Sequence, residues 1–479
     1  MSSPDPACLN RRLLLAGPAA LAFAPAPATS ADTPARYRVR LLSVSPPRFA
    51  VEAVLPGATD RLTMGRSYPA ELPEMARQGW PALVADLAAE DAAGALPLTP
   101  ERNGWNLGRP AQGPVRLGYV ADFGLFESAG WSSPLESAAA DGEALSVSGR
   151  GLFIASGERP AAVDFELPRP WRSAVPWLAR GREAYAVDGL QRLQDNLLAF
   201  STGAPLVVGA AGFTLRVTPM GHWRPLAGEV REALARIVRR EVELAGWRGR
   251  EAFNVVLVPT DDMGGEAYRQ SLAIGFRAPS AANRPDWANF LAHEVFHYWN
   301  ASRLRGADYA STQWFQEGFT EYVANLSVLS TGVADLGWFL GKLTRHVENA
   351  ARLETTLENI GSRKGPPLYS AGALVAFAWD TALRRGTGGR RDIGSVFRNL
   401  WLVTDDARRP YAWPDIRRAL DLTAPGDWEG FHRRFIAGTE KPDHARVFAD
   451  AGLRLEDGAV SVNPAAAPEA QAVLRSLQR

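Results

Sequence analysis

Hydrophobic and polar residues alternate in short runs along the first part of the chain, from residue 37 to about residue 217. Examples are YRVRLLSV, RFAVEAVL, VRLGYVADF and GFTLRVTPM, and turn-forming pieces such as LPGATD and SAAADGEA separate the runs. Alternation with a period of two buries one face of a strand, and short strands separated by turns are typical of β-sandwiches. We therefore predict an N-terminal β-sandwich-like domain over residues 37–220.

The periodicity changes near residue 225, where RPLAGEVREALARIVRREVELAGW repeats its apolar residues at helical spacing. FNVVLVP then has the continuous apolar character of a buried strand, and helical patterns dominate from Trp287 to about Gly438. We predict an α+β second domain over residues 221–450 with a mostly helical C-terminal part. The segment 451–479 is rich in alanine and proline and is predicted to be a turn-forming tail.

Residues 1–31 are predicted to be a signal peptide. Arg11 and Arg12 precede an apolar run from Leu13 to about Ala24, and small residues follow, which is the order of a secretory signal. The run is too short to span a membrane, and NRRLLLAG also resembles a twin-arginine signal, so both export routes stay open. The one cysteine, Cys8, lies in this segment. We expect a periplasmic or secreted protein with no membrane anchor in its mature chain.

Charge gives little indication of macromolecular partners. The formal net charge is +1, which gives no reason to expect nucleic acid or an anionic membrane surface. Only three of the 53 basic residues are lysines, namely Lys342, Lys364 and Lys441, and the arginines are spread along the chain. The excess of arginine is interpreted as a compositional bias, and the oligomeric state is left open.

The stretch LAHEVFHYWN, residues 291–300, places two histidines four residues apart with a glutamate after the first. Asp286 is predicted to cap the helix that contains it. On a helix, His293 and His297 share one face, so both imidazoles can bind one metal ion. Glu294 projects about 100° away, where a general base on a metal-bound water is needed. Two satisfied structural histidines beside a surface glutamate are the alternative.

A catalytic zinc site normally has three protein ligands and one open position. Glu317 follows His297 by twenty residues and begins a second amphipathic helix, so its carboxylate would complete the ligand set. Glu321 lies one turn further along that helix. It could orient an imidazole from behind, but a solvated surface acid is the favoured interpretation.

HEVFHYWN, QWFQEGFTEYV and PLYSAGALVAFAWDTALRRGTGGRRDIGSVFRNLW resemble the glycyl aminopeptidase family of gluzincin zinc peptidases, which is related to the aminopeptidase N type. The similarity extends through DWEGFHRRFIAGTEKPDHARVFADAGLRL. The resemblance implies a thermolysin-like catalytic domain, a peptide substrate, and one Zn2+ per chain held by His293, His297 and Glu317. It also implies that Glu294 is the base.

The resemblance further implies that Tyr369, in LYSAGAL, donates a hydrogen bond to the tetrahedral oxyanion. A phenol suits this role because it stays neutral and protonated at pH 7. The alternative is one more buried aromatic residue at a helix start. The family's usual lysine near this tyrosine is replaced by Ala371. The family also usually has a C-terminal PDZ-like domain, which the roughly 25 residues after AGLRL are too few to form.

The chain departs from the family in the segment that binds the substrate's amino terminus. The family has a GGLEH-like sequence there, and this chain has MGGEAY. Gly264 and Gly265 align, but Ala267 and Tyr268 occupy the glutamate and histidine positions. Glu266 lies one place early, and on a strand a shift of one residue points a side chain to the opposite face.

Recognition of an amine needs a carboxylate. Either a bulge returns Glu266 to the site, or Asp261 or Asp262 serves instead. The favoured function is a zinc aminopeptidase for peptides with small N-terminal residues. An endopeptidase or a peptidase of altered specificity is the first alternative, and a non-catalytic zinc-stabilised binding protein is the second.

Overall fold

The structure of this chain is a computed structural model that describes residues 33–57, 60–129, 135–261, 263–360 and 365–479. The predicted signal peptide with Cys8 lies outside the described residues, and so do Asp262 and Lys364. Among the described residues, no helix is long and apolar enough to cross a membrane.

The N-terminal part is built from three sheets. The largest contains, in spatial order, β13 (Leu178–Gly181), β14 (Ala184–Val187), β11 (Ala161–Glu166), β1 (Ala35–Val44), β2 (Pro47–Leu55), β8 (Val115–Asp122), β4 (Val84–Asp91) and β5 (Gly94–Ala95). The second contains β12 (Arg172–Ala174), β15 (Leu197–Ser201), β10 (Ala144–Ser148) and β9 (Ala138–Ala140). The third contains β3 (Arg61–Thr63), β7 (Gly104–Leu107) and β6 (Leu98–Glu101). Short helices α1 (Pro73–Gln78), α2 (Gly124–Ser128), α3 (Gly149–Leu152) and α4 (Leu190–Gln194) connect them, with a 3-10 turn at Trp80–Leu83.

The predicted alternation is what builds this sandwich. Buried and exposed residues alternate strictly along the first eight residues of β1, and its buried face packs with β2 over a common core. Phe49 of β2 meets Phe200 of β15 with ring centroids 5.3 Å apart, so the eight-stranded and four-stranded sheets face each other. The predicted β-sandwich-like domain is therefore confirmed.

The second part combines a five-stranded sheet with long helices. The sheet contains, in spatial order, β16 (Leu206–Ala210), β17 (Phe213–Pro219), β18 (Glu251–Val258), β20 (Ser271–Gly275) and β19 (Gly264–Ala267). The helices are α5 (Ala227–Ala245), α6 (Arg284–Phe296), α7 (Tyr309–Ser330), α8 (Leu336–Ala350), α9 (Pro366–Thr387), α10 (Ile393–Val403), α11 (Trp413–Thr423), α12 (Trp428–Phe435), α13 (His444–Asp450) and α14 (Pro468–Leu477). A hairpin of β21 (Leu453–Glu456) and β22 (Ala459–Val462) precedes α14.

The boundary between the two parts lies earlier than the sequence pattern predicted. Val208, Phe213, Leu215 and Val217, on β16 and β17, are buried in the core of the second part. β17 pairs in parallel with β18 across α5, which makes a βαβ unit that belongs to the second part of the chain. Alternation alone could not place the boundary, because the sheets on both sides of it have the same period.

The four-stranded sheet packs on both parts. On β15, Leu198 and Phe200 enter the sandwich core, while Leu197 and Ala199 pack with Val256 and its neighbours from the five-stranded sheet. Hydrogen bonds cross the same contact: the Asn254 amide donates to the carbonyl of Ala174 at 2.6 Å, and the Leu197 backbone N–H donates to Ser271 Oγ at 2.6 Å. The sandwich is thus fixed against the five-stranded sheet of the second part.

The segment after residue 450 is folded rather than a turn-forming tail. Leu453, Val460 and Leu477 are buried in the core of the second part. The Arg384 guanidinium donates to the carbonyl of Ser476 at 2.9 Å, which attaches α14 to α9. The alanine-rich segment contains the amphipathic helix α14, which packs on the helical part and which composition alone did not indicate.

Candidate active site

Helix α6 carries His293, the first histidine of the predicted motif, and His297 directly follows its last residue. It begins at Arg284, with Pro285 in its first turn, rather than after a capping Asp286. The Asp286 carboxylate instead accepts a hydrogen bond from the Trp338 indole N–H at 3.0 Å. The helix is apolar on both sides of the histidines, so it is held between the sheet and α7, and His293 is only 5% exposed.

The helix ends at the second histidine, which fixes that ring. His297 keeps helical backbone angles and is followed by an irregular turn at Tyr298–Arg303, in which Asn300 and Ala301 have non-helical angles. His297 Nδ1 lies 3.3 Å from the carbonyl oxygen of Asn300, the acceptor that holds the imidazole with Nε2 facing the cavity. The Asn300 amide in turn donates to the carbonyl oxygens of Phe315 and Gln316, which connects the turn to α7.

Three donor atoms converge at this point. His293 Nε2 and His297 Nε2 are 3.0 Å apart, and the Glu317 carboxylate oxygen lies 3.6 Å from the first and 3.2 Å from the second. Nitrogen and oxygen ligands at zinc distances of about 2.0 to 2.2 Å in a tetrahedral arrangement are roughly 3.3 to 3.6 Å apart. The separation of 3.6 Å lies in this range and those of 3.0 and 3.2 Å lie a few tenths of an ångström below it, so a small outward shift of the side chains would let the three donors hold one zinc ion at the cavity wall.

Charge at the site agrees with a bound cation. Burial opposes protonation of His293, but the Glu317 and Glu321 carboxylates more than offset this and raise its pKa to about 10. Burial opposes ionisation of Glu317, but the two histidines outweigh burial and hold its pKa well below the ordinary value. The carboxylates that retain this proton would equally attract a divalent cation in its place.

Glu321 is not the surface acid that the sequence favoured. It is 9% exposed, and its Oε2 accepts from His293 Nδ1 at 3.1 Å, so that Nε2 is left for the metal. Its Oε1 accepts from Lys342 Nζ at 2.8 Å. Sequence spacing could not distinguish the two interpretations, because burial of Glu321 depends on α8 packing over α7.

Glu294 lies beside the donor set without joining it. A methyl group added to Gly265 would lie 2.6 Å from the Glu294 carboxyl carbon, so β19 passes directly against this carboxylate. The same methyl group on Gly264 would meet only Leu135, at an ordinary 3.4 Å. A side chain at position 265 would therefore force the Glu294 carboxylate to move, and position 265 faces α6.

Tyr369 reaches the site from α9. Its ring stacks on that of His293, with centroids 5.7 Å apart and planes inclined by 30°. Helices α7 and α9 cross closely at Gly318 and Gly372. A methyl group on Gly318 would lie only 2.3 Å from Gly372 Cα, so the absence of a side chain there permits the close crossing. Tyr369 is half-buried against the helical core and lines the same cavity as Glu317.

Glu266 lies on the opposite wall. Its side chain is 32% exposed and points to the N-terminal part, with a carboxylate oxygen 4.0 Å from an Arg150 Nη1. Burial and the neighbouring Glu136 raise its pKa, and Glu294 contributes in the same direction. Glu266 thus remains within electrostatic reach of the catalytic residues although it is one place early, while Ala267 contributes no charge.

The neighbouring residues Tyr268 and Asp261 have different surroundings. Tyr268 is 4% exposed, with the Arg150 guanidinium over its ring at 4.6 Å, so it anchors the strand. Asp261 is exposed and is not among the described residues that line the cavity.

A single cavity of about 980 Å³ connects these walls. Its lining includes the donor set, Glu294, Tyr369, the segment Gly264–Glu266 and two cationic residues of α8, Lys342 and Arg345. Sequence reasoning missed Glu136 and Arg150, since neither lies in a motif. It also missed Lys342, for which the rarity of lysine in this chain was the only signal.

The sequence model of the family described as M61 glycyl aminopeptidase matches residues 286–362, which include the three donors and Glu294. No curated protein sequence matches the chain. An aminopeptidase N family protein from Idiomarina loihiensis has a similar structure, with a TM-score of 0.72 and 17% identity over 89% of this chain and 80% of that chain. A variant M1 zinc metallopeptidase from Deinococcus radiodurans, bound to a Tyr-Ser-Ala substrate, gives a TM-score of 0.50 at 15% identity, over 86% of this chain and 95% of that chain.

These findings confirm the predicted fold, and they support the predicted family for the segment that contains the donor set. The family match coincides with the donor set, and the structural similarity extends over both parts of the chain. The segment that carries the donors is accordingly similar to the M61 glycyl aminopeptidases, and its donor set is suited to zinc as the cofactor.

Proposed function

We propose that this zinc peptidase of the gluzincin type is an exported aminopeptidase that removes small residues from the amino terminus of peptides. The observation that carries the proposal is the triangle of donors on His293, His297 and Glu317 with the Glu294 carboxylate beside it in one cavity. A zinc site built only for stability would be closed by a fourth protein ligand.

Bound zinc supplies Lewis-acid polarisation of a peptide carbonyl and lowers the pKa of water. Glu294 is placed to accept the proton of the attacking water and to pass it to the leaving amine. Gly265 leaves the space that this carboxylate occupies.

Tyr369 would donate its phenolic hydrogen to the oxygen that becomes negatively charged in the transition state. The Tyr369 ring stacks on the His293 ring, and this contact holds the phenol at the edge of the donor set. A preorganised donor of this kind stabilises developing charge more than the ground state.

Glu266 would bind the substrate's free amino terminus. The wall that it shares with Glu136 has Arg150 as a nearby cation, at 4.0 Å from Glu266. An ammonium group would relieve the repulsion between these carboxylates and form charge-assisted hydrogen bonds. The preference for small N-terminal residues rests on the family match, and a peptide of a few residues fits a cavity of about 980 Å³.

The proposed location is the periplasm or the exterior of the cell. It rests on the order of basic, apolar and small residues in the first 31 positions.

The test is a paired measurement of metal content and cleavage. The purified protein should contain one zinc per chain and hydrolyse glycyl or alanyl arylamides, lose activity to a chelator, and regain it with zinc. Stoichiometric zinc without cleavage of any member of a broad peptide library would contradict the proposal and favour a zinc-stabilised binding protein.

A further inference from the structure

Lys342 lines the cavity beside Glu321 and has no part in the proposed chemistry. We propose that Lys342 is a positioning residue: it holds one oxygen of Glu321 so that the other oxygen fixes the His293 ring with Nε2 toward the metal. The inference rests on the proposed use of this site as a zinc centre. Zinc binding can be measured without turnover, so the two can fail separately.

The Glu321 carboxylate has two oxygens with different partners. Oε2 is 3.1 Å from His293 Nδ1, and Oε1 is 2.8 Å from Lys342 Nζ. The Lys342 side chain is 18% exposed and the Glu321 side chain 11%, so water competes weakly for either group. The pair is therefore a sheltered salt bridge whose geometry is transmitted to a metal ligand.

His346 is the other candidate partner of Oε1, but its nitrogens are engaged elsewhere. The Asn325 amide donates to His346 Nε2 at 2.9 Å, and the Asn289 amide donates to Asn325 Oδ1 at 2.9 Å, which fixes that direction. The proton of a neutral His346 is then on Nδ1, 3.1 Å from Ser370 Oγ. Nε2 is 3.6 Å from Glu321 and has no proton to donate. Lys342 is thus the donor on which Oε1 depends.

The position of Lys342 on its helix supports the same assignment. Its ammonium group also lies 5.6 Å from the centre of the Trp338 ring, one turn earlier on α8. The Trp338 indole N–H donates to Asp286 on α6. Helix α8 is therefore attached to the metal-binding helices at two points: Lys342 contacts Glu321 on α7, and Trp338 contacts Asp286 on α6.

If Lys342 affected the site only through its positive charge, its removal would have the opposite effect on zinc affinity. A positive charge near a zinc site repels the ion, so removing it without any other consequence would tighten zinc binding. A positioning role predicts weaker binding, because the His293 ring loses its fixed orientation. The sign of the change decides between the two.

The experiment measures zinc dissociation constants by competition with a chelator of known affinity. Lys342→Met should weaken zinc binding about tenfold, the lower end of the effect of outer-shell partners. Lys342→Arg, which keeps a charged donor, should stay within about threefold of the unchanged protein. Lys441→Met is the matched control, because this exposed lysine bonds only to the carbonyl of Ala351 among the described residues. It should leave zinc affinity unaltered.

A double-mutant cycle identifies the route of the effect. In a Glu321→Gln background, Lys342→Met should change zinc affinity by less than about twofold, since the residue acts through Glu321. Unfolding of the metal-free proteins, followed by circular dichroism, separates a loss of fold from a loss of zinc. Unchanged or tighter zinc binding in Lys342→Met would overturn the proposal, and so would a tenfold loss that persists in the Glu321→Gln background.

Discussion

The two walls of the catalytic cavity are positioned by different kinds of contact. On the helical wall, α6 and α7 hold the donors through local spacing, ring hydrogen bonds and burial, and His293 and Glu317 are each 5% exposed. On the strand wall, β19 is the edge of its sheet, and Glu266 depends on Arg150 and Glu136 from the other part of the chain. In the proposed function, the helical wall supplies the chemistry, while the strand wall selects which peptide end is presented to it.

The largest expected effect is on the helical wall. Glu294→Gln should retain one zinc per chain but lower kcat by about a thousandfold or more, because the amide cannot accept the water's proton. Metal analysis and steady-state kinetics on an alanyl arylamide check both parts. Full activity in this variant would refute the assigned base.

Tyr369→Phe should lower kcat by about a hundredfold with little change in KM. The hydroxyl is expected to act on the transition state more than on the bound substrate. Zinc content serves as the control, since the phenyl ring can still stack on His293. An increase in KM alone would assign Tyr369 to substrate binding instead.

Gly265→Ala tests the contact between the two walls. The new methyl group would lie 2.6 Å from the Glu294 carboxyl carbon and displace it, so kcat should fall by about ten- to a hundredfold with zinc retained. Gly264→Ala is the matched control, because its methyl group would meet only Leu135 at 3.4 Å. Equal losses in both variants would show that strand flexibility matters rather than the space at Glu294.

On the strand wall, Glu266→Gln should lower kcat/KM about tenfold for unblocked substrates and leave N-acetylated ones unchanged. A charge-assisted hydrogen bond to the ammonium group contributes roughly 1.5 to 3 kcal/mol. Measuring both substrates in parallel provides the internal control. A similar loss on both would mean that Glu266 supports the strand rather than the amine.

The pH dependence should reveal the same carboxylate. Burial and Glu136 raise the pKa of Glu266, and only its ionised form attracts an ammonium group. As pH falls, kcat/KM for unblocked substrates should therefore decline at a higher pH than an ordinary glutamate would give. This decline should disappear in Glu266→Gln. A decline at the same pH in that variant would assign the titration to another group.

The sequence predicted the helical wall more fully than the strand wall, for a physical reason. His293, Glu294 and His297 lie within two turns of one helix, so their relative placement follows from helix geometry. Burial of Glu321 and the contacts of Lys342 depend on helix packing, which no local pattern encodes. For Glu266, the strand period predicts a side chain on the face opposite to that of position 267. It could not show that the cavity also extends to that side.

In the proposed function the site binds a free amino terminus, and the most direct test of this binding compares two substrates. We predict that the unchanged zinc-loaded protein cleaves glycyl or alanyl arylamide with a kcat/KM at least about tenfold above that of the N-acetylated counterpart, since each tenfold corresponds to about 1.4 kcal/mol of amine recognition. Equal or faster cleavage of the acetylated substrate would contradict the account and indicate an endopeptidase.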